Sequence, residues 1–161
     1  MQKQLISRIS IFATPLMLTA ALLTSVPSAR ADSGDAPCSD RTLRGDYGFT
    51  IEGLIFPAPG VSVPIRGVAL THFDGSGNLS QVDHIIAGGD PVSPLDWTPG
   101  TGTYHVNADC TGTIHISVPS TGDLVNLSIV VVKKGAVIQT VVTPPYAGPK
   151  RTVTSVGTRV D

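Results

Sequence analysis

The sequence predicts an all-β protein: a single antiparallel up-and-down barrel of about eight strands, stapled by one disulfide. Three observations predict it. Runs rich in Val, Ile, Thr, Tyr and Phe alternate with clusters of Gly, Pro, Asn and Asp along the chain. No segment carries a helical apolar period with caps. The connections between the runs are short enough to make neighbours antiparallel, and they sort into two kinds.

The first segment is an address rather than part of the fold. Lys3 and Arg8 give a positive start, an apolar stretch covers 9–23, and Ala29-Arg30-Ala31 forms a small-residue cleavage site before Asp32. The stretch is short for a membrane span and is interrupted by Pro15. The expectation is a signal peptide over 1–31 and one domain over 32–161. The protein is then exported, periplasmic or extracellular, with no stable membrane anchor after cleavage.

Eight strands are expected at 42–56, 63–73, 79–87, 102–108, 111–118, 124–132, 135–142 and 151–160. Asp74-Gly75-Ser76-Gly77-Asn78, Asp109-Cys110 and Lys133-Lys134-Gly135 read as tight polar turns. Three other connections read as long and Pro-rich: one around Phe56-Pro57-Ala58-Pro59-Gly60, one over 88–101 with Trp97, and one over 143–149 with Tyr146. In a meander, alternate connections share an end. These three tight turns therefore fall at one end and the long loops at the other, where the short connection from Pro119 to Gly122 also lies. Eight such strands suit a closed barrel, which has no free edge and has room for one small ligand.

The two cysteines of an exported chain are expected to pair. Cys38 precedes the first strand and Cys110 sits in a tight turn, so both belong to the tight end.

Alternation separates inside from outside in four strands. Leu43, Tyr47, Phe49 and Ile51 oppose Arg44, Asp46, Thr50 and Glu52. Tyr104 and Val106 oppose Thr103, His105 and Asn107. Ile114, Ile116 and Val118 oppose Thr113, His115 and Ser117. Val125, Leu127, Ile129 and Val131 oppose Asn126 and Ser128. The other four strands do not alternate cleanly, which leaves Arg66, His72 and His84 unplaced. The lumen is expected to be apolar, with Tyr47 and Tyr104 as polar handles.

The charge excludes some functions. The net charge is −1, and loss of Lys3, Arg8 and Arg30 leaves eight basic against twelve acidic residues. A polybasic nucleic-acid binder is excluded as the default.

Three stretches carry a resemblance: Leu43-Arg44-Gly45-Asp46-Tyr47-Gly48-Phe49 after Cys38, Phe73-Asp74-Gly75-Ser76-Gly77-Asn78-Leu79, and 102–113 around Cys110. They resemble small secreted bacterial β-barrel proteins of uncharacterised function with a paired cysteine. More remotely, the architecture is similar to allene-oxide-cyclase-like and lipocalin-like barrels. The resemblance implies a fold and transfers no catalytic residue.

Candidate chemistry is sparse. Glu52, the one Glu in the chain, falls on the outer face. A three-residue loop centred on Cys110 would set His105 opposite His115, a pair able to share a metal but lacking a third ligand. The Asp74–Asn78 run starts like a calcium loop but lacks the later ligands, and a hairpin turn explains it. Asn78-Leu79-Ser80 and Asn126-Leu127-Ser128 match the glycosylation pattern, which acts only on a eukaryotic secretory route. No metal site and no cofactor is expected, and no nucleotide, hydrolase or protease fingerprint is present.

The favoured function is binding of a small apolar molecule, or of a partner, at the long-loop end. The ligand contacts expected there are Tyr47, Phe56, Trp97, Tyr104 and Tyr146. Two alternatives stand beside it: a cyclase- or isomerase-type enzyme using the cavity, and a structural or interaction module without a ligand. Catalysis, ligand identity and oligomeric state stay open at this level.

Overall fold

The computed structural model describes residues 37–160. The expected signal 1–31 and its cleavage point before Asp32 lie outside the described residues. Nine strands follow in order: β1 (Arg44–Ala58), β2 (Val61–Asp74), β3 (Asn78–Ala87), β4 (Asp90–Pro91), β5 (Thr98–Val106), β6 (Thr111–Val118), β7 (Asp123–Val132), β8 (Val137–Thr143) and β9 (Lys150–Arg159). Two single 3₁₀ turns, Asp40–Thr42 and Lys133–Gly135, are the only helical elements among the described residues.

Eight strands make the wall. Leaving β4 aside, each pairs antiparallel with the next, and β1 pairs with β9 to close the sheet on itself. β4 is a short fold-back of the chain onto the end of β3, turning through Gly88 and Gly89 at positive φ. Closure removes the sheet edges that would otherwise pair with other chains. The faces expected for β1, β5, β6 and β7 are the faces observed: their apolar sets form most of the buried core and Glu52 is exposed.

Two details of the expectation are corrected. The first connection is no long loop. β1 and β2 continue as a hairpin arm until Ala58 pairs with Val61, leaving a two-residue Pro59-Gly60 turn with Gly60 at φ 78°. Pro at the first turn position and Gly at the second suit that geometry. The second correction is register. Tyr104 pairs with Ile114, and His105 lies opposite Thr113 while His115 lies opposite Thr103. The loop after β5 keeps three residues but is centred on Asp109 instead of Cys110, because Asn107 and Thr111 close it by backbone and side-chain hydrogen bonds. The shift is two residues, so every side chain keeps its face while the two histidines part company.

The tight end is plugged. Tyr47, Phe73 and Tyr104 meet edge to face, with ring centroids 5.3 and 5.0 Å apart. The segment before β1 crosses this end. Asp40 Oδ1 accepts the Val106 amide at 2.7 Å, the Cys38 amide donates to the Ala108 carbonyl, and Cys38 is bonded to Cys110. The cystine thus joins the start of the barrel to the β5–β6 turn, as expected from the shared end of the two cysteines.

Candidate functional site: the barrel lumen

Above the aromatic plug the lumen is hollow. A cavity of about 420 Å³ runs from Phe73 and Leu79 at its floor to Thr121, Gly122, Ala147 and Pro149 at the long-loop end. Its size lies within the roughly 300–1,000 Å³ of small-molecule sites. Most of the lining is apolar, including Phe49, Ile116, Val125, Leu127, Val142 and Val153. Gly157 helps shape it: a Cβ there would stand 2.5 Å from the Phe49 ring, so the ring rests directly against β9.

Polar groups enter the lumen at three places. Thr71, Gln81, Asp83 and Thr98 form a strip across β2, β3 and β5. The Thr71 hydroxyl donates to Gln81 Oε1 at 3.4 Å, and Gln81 Nε2 donates to Asp83 Oδ2 at 2.9 Å. Asp83 is 9% exposed, and burial raises its carboxyl above the usual aspartate pKa, against smaller opposing effects of Gln81 and His84. On the far wall, the Thr140 and Ser155 hydroxyls are 2.6 Å apart. At the mouth, Arg151 holds Asp123 through two bonds of 2.7 and 3.0 Å, tying the start of β7 to β9 past the end of β8. The Arg151 Nε hydrogen-bonds to nothing in the protein and is buried.

None of the five expected aromatic contacts is among the residues lining this cavity. Tyr47 and Tyr104 lie below it, in the plug. The Tyr47 hydroxyl donates to the Gly135 carbonyl and accepts from Arg159. The Tyr104 hydroxyl is directed at the carbonyls of Asp40 and Leu43. Phe56, Trp97 and Tyr146 do share the long-loop end. Phe56 shares the outward face of β1 with Glu52 and is exposed. Trp97 is 53% exposed, its ring 6.2 Å from His84, whose Nδ1 donates to the Asp96 carbonyl. Tyr146 packs on the cluster of Ile65, Val142 and Val153 under the Arg151 guanidinium.

The residues that sequence reasoning missed are Asp83, Gln81, Thr71 and Arg151. A signal was present: in β2 and β3 the alternation inverts, with Val68 and Leu70 exposed while Thr71 and Asp83 are buried. The remaining histidines face outward. His115 Nδ1 pairs with Asn126 Oδ1, and Asn126 Nδ2 donates to the Pro145 carbonyl, fastening the β8–β9 loop. Asp74 binds the amides of Ser76 and Asn78 as a turn residue does, which accounts for the calcium-like run.

No family model and no curated protein matches this chain. Among solved structures, a de novo designed fluorescence-activating β-barrel is similar, at 11% identity and a TM-score of 0.48, covering 75% of this chain and 96% of that chain. The barrel stands on its own strand pairing.

Proposed function

We propose that this is an exported, periplasmic or extracellular barrel that binds a small, mainly apolar molecule in its lumen, entering from the long-loop end. The observation that carries the reading is the hollow, largely apolar cavity between the aromatic plug and the mouth. The interior of an eight-stranded barrel is either filled by its own side chains or left open for one small ligand. Here the small residues Ala69, Thr71, Thr140 and Ser155 stand where bulkier ones would close the space. The cystine and the positively charged, apolar start of the chain support export.

In this reading the ligand touches Phe49, Ile116, Val125, Leu127 and Val153, and its polar group meets the Asp83 strip. Tyr47 and Tyr104 act from below by holding the floor, while Trp97, Phe56 and Tyr146 dress the rim. The enzyme alternative has one specific observation in its favour. Asp83 is a buried carboxyl facing the cavity with a raised pKa, the property of a general acid or base. Native mass spectrometry of protein purified from its own source tests the reading. A co-purified small molecule, lost on unfolding, is expected. Protein that is ligand-free and takes up no apolar probe rejects it, and chemical conversion of the recovered molecule selects the enzyme.

A further inference from the structure

The polar strip narrows the class of ligand. Three charged residues line the cavity: Asp83, Asp123 and Arg151. Arg151 and Asp123 neutralise one another at the mouth. Of the two carboxyls lining the cavity, Asp83 is the one with no ion pair among the described residues. From β2 it faces Ala69 and Thr71, from β5 Thr98, and along β3 Gln81 and Ile85; none of these is charged. His84 is its sequence neighbour but lies on the outer face of β3, bonded to Asp96. The Thr71 hydroxyl fixes Gln81, and Gln81 turns its amide toward one carboxylate oxygen. Among the described residues, no hydrogen bond from the protein reaches the other oxygen.

We infer that the lumen selects an apolar molecule carrying one cationic nitrogen, which pairs with the Asp83 carboxylate while its apolar part fills the space below and across. This rests on the lumen being a binding site, as proposed above. The argument is one of complementarity. An ionised carboxylate in an apolar cavity is costly unless paired. The protein supplies Gln81 and no cation, so a ligand cation completes the pair. An anion would be repelled, and a neutral alcohol would gain only a hydrogen bond. Burial already lifts the Asp83 carboxyl toward its neutral form, and a bound cation would reverse that lift.

The test uses the disulfide-intact protein and three ligands of one length. Decylamine, decanol and decanoate, each below its micelle concentration, are titrated against bound N-phenyl-1-naphthylamine, an uncharged apolar fluorophore. At pH 7.5 decylamine is expected to displace it at least about tenfold more tightly than decanol, with decanoate weakest. The advantage should shrink toward unity in Asp83→Asn and, in the wild type, as pH falls to about 4. Equal affinities of amine and alcohol overturn the inference, and so does an amine advantage that persists in Asp83→Asn. In those cases fluorophore uptake still leaves the lumen a binding site. A wild type that takes up no fluorophore overturns both readings. If Asp83→Asn fails to fold, the wild-type pH series decides alone, and an amine advantage unchanged by pH overturns the inference.

Discussion

The Tyr47 hydroxyl on β1 meets the carbonyl of Gly135, 88 residues later in the β7–β8 turn. Its other partner is Arg159 at the end of β9, whose guanidinium also lies over the Tyr47 ring at 5.4 Å. One fully buried side chain thus links the first strand, a distant turn and the last strand at the tight end. Gly135 has φ 86°, and a Cβ there would collide with the Thr42 carbonyl, so the turn can approach only as glycine.

Tyr47→Phe should therefore destabilise the barrel without touching the cavity. The Gly135 carbonyl and the Arg159 donors lose a buried partner, worth about 1–3 kcal/mol. Guanidinium denaturation should show the loss, with fluorophore uptake by the folded protein unchanged. A variant as stable as wild type would contradict the role given to this contact.

Asp83→Asn should alter stability in a pH-dependent way. Burial raises the folded carboxyl pKa above its unfolded value of about 3.9. Its contribution to stability is then fully present below the unfolded value and lost as pH rises through the folded one. Asparagine mimics the neutral carboxyl at every pH. The variant should match wild type near pH 4 and be the more stable protein near pH 8. Denaturation midpoints across that range check this, and a difference independent of pH would contradict it.

Those two residues were unequally legible. Tyr47 stands in a clean apolar alternation with Phe49 and Ile51, so its inward direction could be read directly. Asp83 could not be placed. β2 and β3 put Thr71, Gln81 and Asp83 inside and Val68 and Leu70 outside, because their inner face serves a cavity rather than a packed core. The pattern fails where the candidate site lies, as expected when function departs from simple burial. Strand order was legible because Gly, Pro, Asn and Asp mark each reversal; the sorting of turns was legible except at β1–β2, where Pro59-Gly60 makes a tight turn at the long-loop end. The β5–β6 register was not legible, since Asn107 and Thr111 close that loop one residue earlier through contacts that composition does not encode.

Trp97→Ala should cost less than about 1 kcal/mol, because the ring is half-exposed at the rim beside His84. Trp97 is also the single Trp of the chain, so its fluorescence reports the rim alone. Emission should be that of a solvated indole and should respond to a ligand entering the mouth. A loss of about 3–5 kcal/mol would instead mark the ring as core packing.

Removing the cystine with Cys38→Ala and Cys110→Ala should destabilise the protein by about 4 kcal/mol, since the bond spans 72 residues. Loosening should begin at the tight end, where Cys38, Asp40 and the β5–β6 turn meet. Hydrogen exchange comparing the Val106 and Val131 amides with those of β8 checks this. Uniform protection at all of them would contradict a local role for the bond.

The most direct test of the central claim is a titration of N-phenyl-1-naphthylamine into wild type and Ala69→Phe. Ala69 lines the cavity on β2, opposite Phe49 on β1 and Asp83 on β3, and a phenyl ring there would occupy the hollow. Wild type should bind one fluorophore per chain with enhanced emission, and the folded Ala69→Phe protein should bind at least tenfold more weakly. Equal binding by the two folded proteins would place the fluorophore outside the lumen and contradict the account.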